Sequence, residues 1–134
     1  MPFVLDTTVM SALMRADVVA ARHLLATRPG DVGVPQPVLA ELHYGLARLP
    51  ASKKKRLLED RLAVLLQSLS RLAWDDAVSE RFGEAKAALE ARGERVDDFD
   101  LAIAAHALAL DATVVTSNTK HFDRIPRLRV VRWT

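Results

Sequence analysis

The chain contains no cysteine. A disulfide framework, a thiolate zinc site and a cysteine nucleophile are therefore excluded, and a cytoplasmic setting is the expectation. Aromatic residues are scarce, at 5% against 50% hydrophobic residues overall. The core must be built from Ala, Leu and Val, which favours closely packed helices around a small sheet. No stretch reaches the roughly 18 apolar residues of a membrane-spanning helix, so no membrane role is expected. The first residues enter a strand pattern directly, without the basic and apolar regions of a secretory signal. Internal repeats and low-complexity linkers are missing. So is a large excess of one charge: the formal net charge is +2 and the pI about 9.3, a bias compatible with nucleic acid but not diagnostic of it.

What remains is 134 residues, read as a single domain over 1–134. A chain of this size buries roughly 68–70% of its unfolded surface, so it needs no staples. Phe3 to Leu5 reads as a short buried strand, followed by helices over Thr8–Met14 and Val18–Thr27. Val32 to Val34 reads as a second strand closed by Pro35. Pro37 opens a helix to Leu49, where its missing N–H costs nothing, and Pro50 stops it. Ser52 caps a longer amphipathic helix to about Leu69. Arg71 to Trp74 reads as strand. Asp75 caps a helix to about Arg92, with Gly93 as its stop. Asp97 or Asp98 caps another through Leu110. Thr113–Thr116 and Leu128–Trp133 complete the strands. This alternation predicts an α/β fold, a parallel sheet with helices on both faces. Ligands of such sheets bind beyond the carboxyl ends of the strands, where Asp6 and Asn118 fall.

Three acids occupy awkward positions. Asp6 ends the first hydrophobic run, Glu41 lies within an apolar helix, and Asp100 opens the Ala-rich stretch Leu101–Ala107. Each has an ordinary reading. Asp6 can cap the helix after it. Asp100, in a first turn, gains about 0.3–1 kcal/mol from the helix dipole. Glu41 lies roughly 100° from the centre of the face shared by Val38, Leu42, Gly45, Leu46 and Leu49, which suits either a solvated flank or a cleft. Strand end, helix flank and helix start can nevertheless converge on one crevice. Two carboxylates about 4 Å apart repel by ~4 kcal/mol at an effective dielectric near 20. Converged acids therefore raise their pKa values or hold a divalent cation. An oxygen-only donor set favours Mg²⁺ or Mn²⁺. His106 falls off the Asp100 face and reads as structural; His43 and His121 read as loop or surface residues before substrate contacts.

The segments around these acids, Val4–Leu13, Ala40–Leu46 and Asp100–Ala107, resemble the successive motifs of PIN-domain ribonucleases. The ending Val114-Val115-Thr116-Ser117-Asn118-Thr119-Lys120-His121-Phe122, with Ile125-Pro126 and Trp133, resembles the tail of VapC-type toxins of bacterial toxin–antitoxin pairs. The likeness runs through essentially the whole chain. It implies a three-layer α/β/α domain, usually a homodimer, that hydrolyses RNA with Mg²⁺ or Mn²⁺ and leaves 5′-phosphate and 3′-hydroxyl ends. By motif match Asp6, Glu41 and Asp100 would be the metal ligands. Asn118 stands at the family's fourth acidic position, so a second ion should bind weakly. Thr7 and Thr116 would support the ligands, and Asp97 and Asp98 are spare acids, one of which would compensate for Asn118. Lys53, Lys54, Lys55, Arg56, Arg15, Lys120 and Arg124 are the cations available to RNA phosphates. The resemblance also implies a VapB-type antitoxin that plugs the pocket with an arginine, whose charge suits it. Leucines of the Pro37–Leu49 and Ser52–Leu69 helices can serve the dimer and antitoxin grooves or the core.

A haloacid-dehalogenase phosphatase needs an acid two residues after Asp6, where Thr8 stands, and a receiver domain needs paired acids that are missing. The alternative kept open is a PIN-fold binding module whose activity Asn118 weakens.

Overall fold

A computed structural model describes residues 2–134. Five parallel strands form one sheet in the order β3-β2-β1-β4-β5. In chain order these are β1 (Phe3–Leu5), β2 (Val32–Pro35), β3 (Ser70–Leu72), β4 (Thr113–Thr116) and β5 (Arg129–Arg132). Six α-helices connect them: α1 (Thr7–Met14), α2 (Val18–Leu25), α3 (Gln36–Ala47), α4 (Lys53–Ser68), α5 (Asp76–Ala91) and α6 (Asp98–Leu110). Right-handed crossovers put α1–α4 over one face of the sheet and α5–α6 over the other. The expected α/β/α layering is the observed one.

The central strands carry the densest burial. Val4, Leu5, Val114 and Val115 are fully enclosed, as continuous apolar strands covered on both faces should be. Leu101 to Ala107 of α6 is buried at every position. Four of those residues are alanines, whose small side chains let α6 lie close to β1, β4 and α5. The sheet approaches closely at Gly33 too: a Cβ there would stand 2.7 Å from Leu72 Cδ1.

Helix starts follow the expected capping chemistry. Ser52 Oγ accepts from Lys55 N, Asp75 Oδ1 from Val78 N, and Asp97 Oδ1 from Phe99 N and Asp100 N. Asp97, not Asp98, is thus the cap of α6. Gly93 takes a φ of 69° at the end of α5, which glycine tolerates without strain. Strand β3 differs from its expected span of Arg71–Trp74. Its ladder pairs Gly33 with Ser70 and ends with Pro35 against Leu72. Beyond Pro35 the neighbouring chain turns into α3, so nothing remains for Trp74 to pair with. Strand β2 includes Pro35 itself, and β5 is shorter than Leu128–Trp133 by a residue at each end.

The strand order reverses between β1 and β4: one leads outward through β2, the other through β5. Such a switch point leaves a crevice at the carboxyl ends of the two strands. The β1 ladder extends one residue further, with Asp6 N donating to Val115 O at 3.0 Å. Asp6 and Thr116 are thereby brought side by side at the crevice floor.

Candidate active site

Asp6 is only 2% exposed, and its two ordinary roles coincide. Oδ1 caps α1 by accepting from Val9 N at 3.0 Å and also accepts from Thr8 Oγ1 at 2.7 Å. Oδ2 accepts from Thr116 Oγ1 at 2.6 Å. A carboxylate offers about four acceptor positions, so one on Oδ2 is left without a protein donor. The two hydroxyls also bind the next loop. Thr8 Oγ1 accepts from Ser117 N at 2.9 Å, and Thr116 Oγ1 accepts from Asn118 N at 2.9 Å. The β1–α1 and β4 ends form one hydrogen-bonded block around a buried carboxylate.

Helices α3 and α6 bring the other two acids to this end. Glu41 Oε1 accepts from Thr7 Oγ1 at 2.5 Å, across 34 residues of sequence. Asp100 lies in the first turn of α6 with its side chain 22% exposed, and its Oδ2 is 3.5 Å from His121 Nδ1. Burial raises the Asp100 carboxyl from 3.8 to about 6, against the lowering effect of His121; the charges of Asp97, Glu41 and Asp6 push the same way as burial. Asp100 therefore lies within the electrostatic reach of both other carboxylates. Asp97 contributes to that repulsion, but its Oδ1 is occupied in capping α6.

Asn118 is engaged locally. Its Oδ1 accepts from Lys120 N at 3.2 Å, capping the 3₁₀ turn Thr119–His121, and its Nδ2 donates to His121 Nε2 at 3.0 Å. The other ring nitrogen, Nδ1, faces Asp100. His121 thus links Asn118 to Asp100, which is more than the loop role expected of it. Local spacing gave no sign of this, because Asp100 and His121 meet only when α6 and the β4 loop close together. Thr8 was passed over as well; the run Asp6-Thr7-Thr8 facing Thr116-Ser117-Asn118 was the available signal.

The remaining candidates sort by position. Arg15 and Lys54 line a 230 Å³ cleft that also contains Thr7 and Glu41. Lys53 and Arg56 are exposed on α4. Arg124 is engaged locally, donating to Arg95 O at 3.2 Å. His106 is buried, as expected of a structural residue; its Nδ1 donates to Ala102 O at 2.9 Å.

Among the described residues no three His, Asp or Glu side chains stand in an arrangement that holds a metal ion as they are. The donor set nevertheless fits a hard divalent cation. Asp6, Glu41 and Asp100 each keep an oxygen position without a protein donor, and all available donors are oxygens. Their mutual repulsion is what a cation would relieve.

Comparison with known proteins identifies relatives of the chain and of its fold. The model of the family described as PIN domain matches residues 3–128. "Ribonuclease VapC2" of Rickettsia felis is 36% identical over 109 residues, covering 81% of this chain and 79% of that protein. The "tRNA(fMet)-specific endonuclease VapC" of Shigella flexneri is 30% identical over 135 aligned positions, covering 98% of each. Among solved structures, VapBC2 from Rickettsia felis, bound to a DNA fragment from its promoter, superposes with a TM-score of 0.89. It is 31% identical and covers 100% of both chains.

Proposed function

The chain belongs to the PIN domain family, and from that premise we propose that it is an endoribonuclease toxin that uses Mg²⁺ or Mn²⁺. The observation that carries this reading is the crowding of Asp6, Glu41 and Asp100 at the β1–β4 switch point, where Asp100 is raised to about 6. In this reading Asp6, Glu41 and Asp100 hold the ion. When bound, the ion neutralises charge on the scissile phosphate and lowers the pKa of water near it.

The protein's own residues supply order. Thr8, Thr116 and Val9 N fix both oxygens of Asp6, so it needs no rearrangement to receive a cation. Thr7 restrains Glu41, which would otherwise sample several rotamers on the flank of α3. His121 holds Asp100 from the loop side. Arg15 and Lys54, in the cleft that reaches Glu41, are placed to neutralise RNA phosphates that the acids would repel. Asn118, fully engaged with Lys120 N and His121, adds no charge, so one ion rather than two is the proposed complement.

The partner in this reading is a VapB-type antitoxin, as in the VapBC assemblies to which the fold is similar. Exposed Tyr44, Leu57 and Val64 on α3 and α4 offer apolar surface to a partner chain. A homodimer over residues 1–134 belongs to the same proposal. No helix among the described residues is long and apolar enough to cross a membrane.

The test is cleavage of RNA by the purified chain with and without added Mn²⁺. The expected result is endonucleolytic cutting that requires the ion and disappears in Asp6→Asn. Metal-independent cutting, or full activity in Asp6→Asn after removal of contaminating nuclease, would refute the reading. Metal-responsive melting without any RNA cleavage would favour the binding-module alternative.

A further inference from the structure

Two loops at the crevice end of the fold bring three arginines together. One joins α5 to α6 and holds Arg92 and Arg95; the other follows β4 and holds Arg124. The arginines tie the loops to each other. Arg92 Nη2 donates to Arg124 O at 2.6 Å, and Arg124 Nη1 donates to Arg95 O at 3.2 Å. Both loops reach the acidic crevice. Asp97, two residues after Arg95, caps the helical turn that contains Asp100. His121, three residues before Arg124, has its Nδ1 3.5 Å from Asp100 Oδ2.

Backbone carbonyls orient these side chains but neutralise none of their charge. Among the described residues Glu94, 3.4 Å from Arg92 Nη2, is the one carboxylate within 4.0 Å of the three guanidinium groups. All three arginines are exposed. The stretch after β4 is itself strongly basic: Lys120, Arg124, Arg127 and Arg129 stand against one acid, Asp123, an excess larger than the net +2 of the whole chain. Phe122 and Ile125 are buried and pin this stretch, so its exposed cations need little further ordering on binding. Arg127 holds a left-handed backbone, φ 64°, that favours glycine. A cation kept at a conformational cost points to a use for it.

Guanidinium groups gathered in this way repel one another, and a bound anion relieves that repulsion. Resting on the nuclease reading above, we infer that Arg92, Arg95 and Arg124 grip phosphates of the RNA strand next to the scissile one, on the Asp100 side of the crevice. RNA is the polyanion that this reading already brings to Asp100, and the planar guanidinium fork matches a phosphate. Arg15 and Lys54 lie on the Glu41 side. The strand therefore crosses the acidic crevice between two cationic flanks, one on α1 and α4, the other on the paired loops, with Arg127 further along. Such contacts set affinity and the path of the strand, not the choice of sequence.

The test is binding of single-stranded RNA to the full chain without added divalent ion, followed by fluorescence anisotropy over a range of salt concentrations. The side chain of Arg95 makes no hydrogen bond among the described residues, so Arg95→Gln leaves the loops joined. Its slope of log affinity against log salt should be shallower than wild type by about 0.7, the value for one phosphate contact on a single strand. Arg95→Gln combined with Arg124→Gln should lose about twice that. Arg95→Lys should keep the wild-type slope. Arg127→Gly should have a shallower slope and a denaturant midpoint no lower than wild type. Arg28→Gln removes the same charge before β2, at the far end of the sheet, and should leave the slope unchanged. Wild-type slopes in Arg95→Gln and the double variant would overturn the inference, as would an equal change in Arg28→Gln, which would reduce the effect to net charge. Unchanged RNA binding with loss of binding to a polyglutamate peptide would assign the loops to an acidic protein segment and overturn it too. Failure of the nuclease reading would appear separately, as absent cleavage with Mn²⁺, whatever slopes are found.

Discussion

The two walls of the candidate site are built differently. On the strand wall Asp6 is buried and receives three hydrogen bonds, and its partners Thr8 and Thr116 are themselves tied to the next loop. On the helix wall Glu41 has a single bond from Thr7, and Asp100 faces only His121 at 3.5 Å. The strand wall is a fixed anionic floor whose charge is already compensated by oriented dipoles. The helix wall holds charge that the fold has not compensated. A charged carboxylate that accepts several hydrogen bonds costs the fold little, whereas one that is desolvated among like charges costs a good deal. Removal of charge should therefore have the same consequence for catalysis on both walls and opposite consequences for stability.

The sharpest way to break this contrast is to neutralise one acid on each wall. Asp6→Asn and Asp100→Asn are each expected to lower RNA cleavage by at least about a thousand-fold, since each removes a charged ligand of the proposed ion. Their melting temperatures without metal should diverge. Asp6→Asn sets an amide N–H against the Thr116 hydroxyl and should lose about 1 kcal/mol. Asp100→Asn should gain about 1–3 kcal/mol at pH 7.5. The folded state raises Asp100 from 3.8 to about 6, so it favours the neutral form. Stability from this group is complete below 3.8 and is lost as the pH rises through about 6. The advantage of Asp100→Asn should thus vanish toward pH 4. Destabilisation of both variants alike at neutral pH would contradict the contrast.

A smaller effect probes the floor alone. Thr116→Val removes the donor to Asp6 Oδ2 and the acceptor for Asn118 N. Leaving a buried partner unsatisfied costs about 1–3 kcal/mol, so chemical denaturation should show a loss in that range. Thr7→Val, which frees only Glu41, should cost less than about 1 kcal/mol. Equal costs would mean that the two walls are equally organised. Glu41→Gln extends the comparison to metal: Mn²⁺ should raise its melting temperature less than that of wild type, and equal shifts would remove Glu41 from the ion.

The same division explains what the amino-acid sequence disclosed. Strand–helix alternation and the caps at Ser52, Asp75 and Asp97 are local signals, and the fold uses them where they were expected; the acids at Asp6, Glu41 and Asp100 are local signals too, and their use as ligands belongs to the proposal. The site's cross-links are not local. Thr7 reaches Glu41 over 34 residues and Thr116 reaches Asp6 over 110; no periodicity encodes such pairs. His121 was assigned to a loop because its contact with Asp100 forms only when the β4 loop closes on α6. Trp74 was assigned to a strand because Arg71-Leu72-Ala73-Trp74 has the right composition. The limit on β3 comes from its neighbour, where Pro35 gives way to α3. That early ending also leaves Trp74 half-exposed beyond the strand.

His106 supplies the smallest expected effect and a control lying off both walls. It is buried on α6 with Nδ1 bonded to Ala102 O, while its Nε2 has no hydrogen-bond partner among the described residues. Burial holds its pKa below 6.5, outweighing the opposing effects of the Ala102 and Ala73 carbonyls and of Asp75. The unfolded chain therefore binds this proton more readily than the folded one. The stability that follows is complete above pH 6.5 and declines as the pH falls toward the lowered folded value. His106→Leu removes both the titration and the unpaired nitrogen, so it should be at least as stable as wild type at pH 7.5. It should also pull ahead of wild type between pH 6.5 and 5, measured by denaturant midpoint. Asp100→Asn changes in the opposite sense, losing its advantage as the pH falls. If the two variants shifted in parallel with pH, the separation of Asp100 from the protein's buried structural groups would fail.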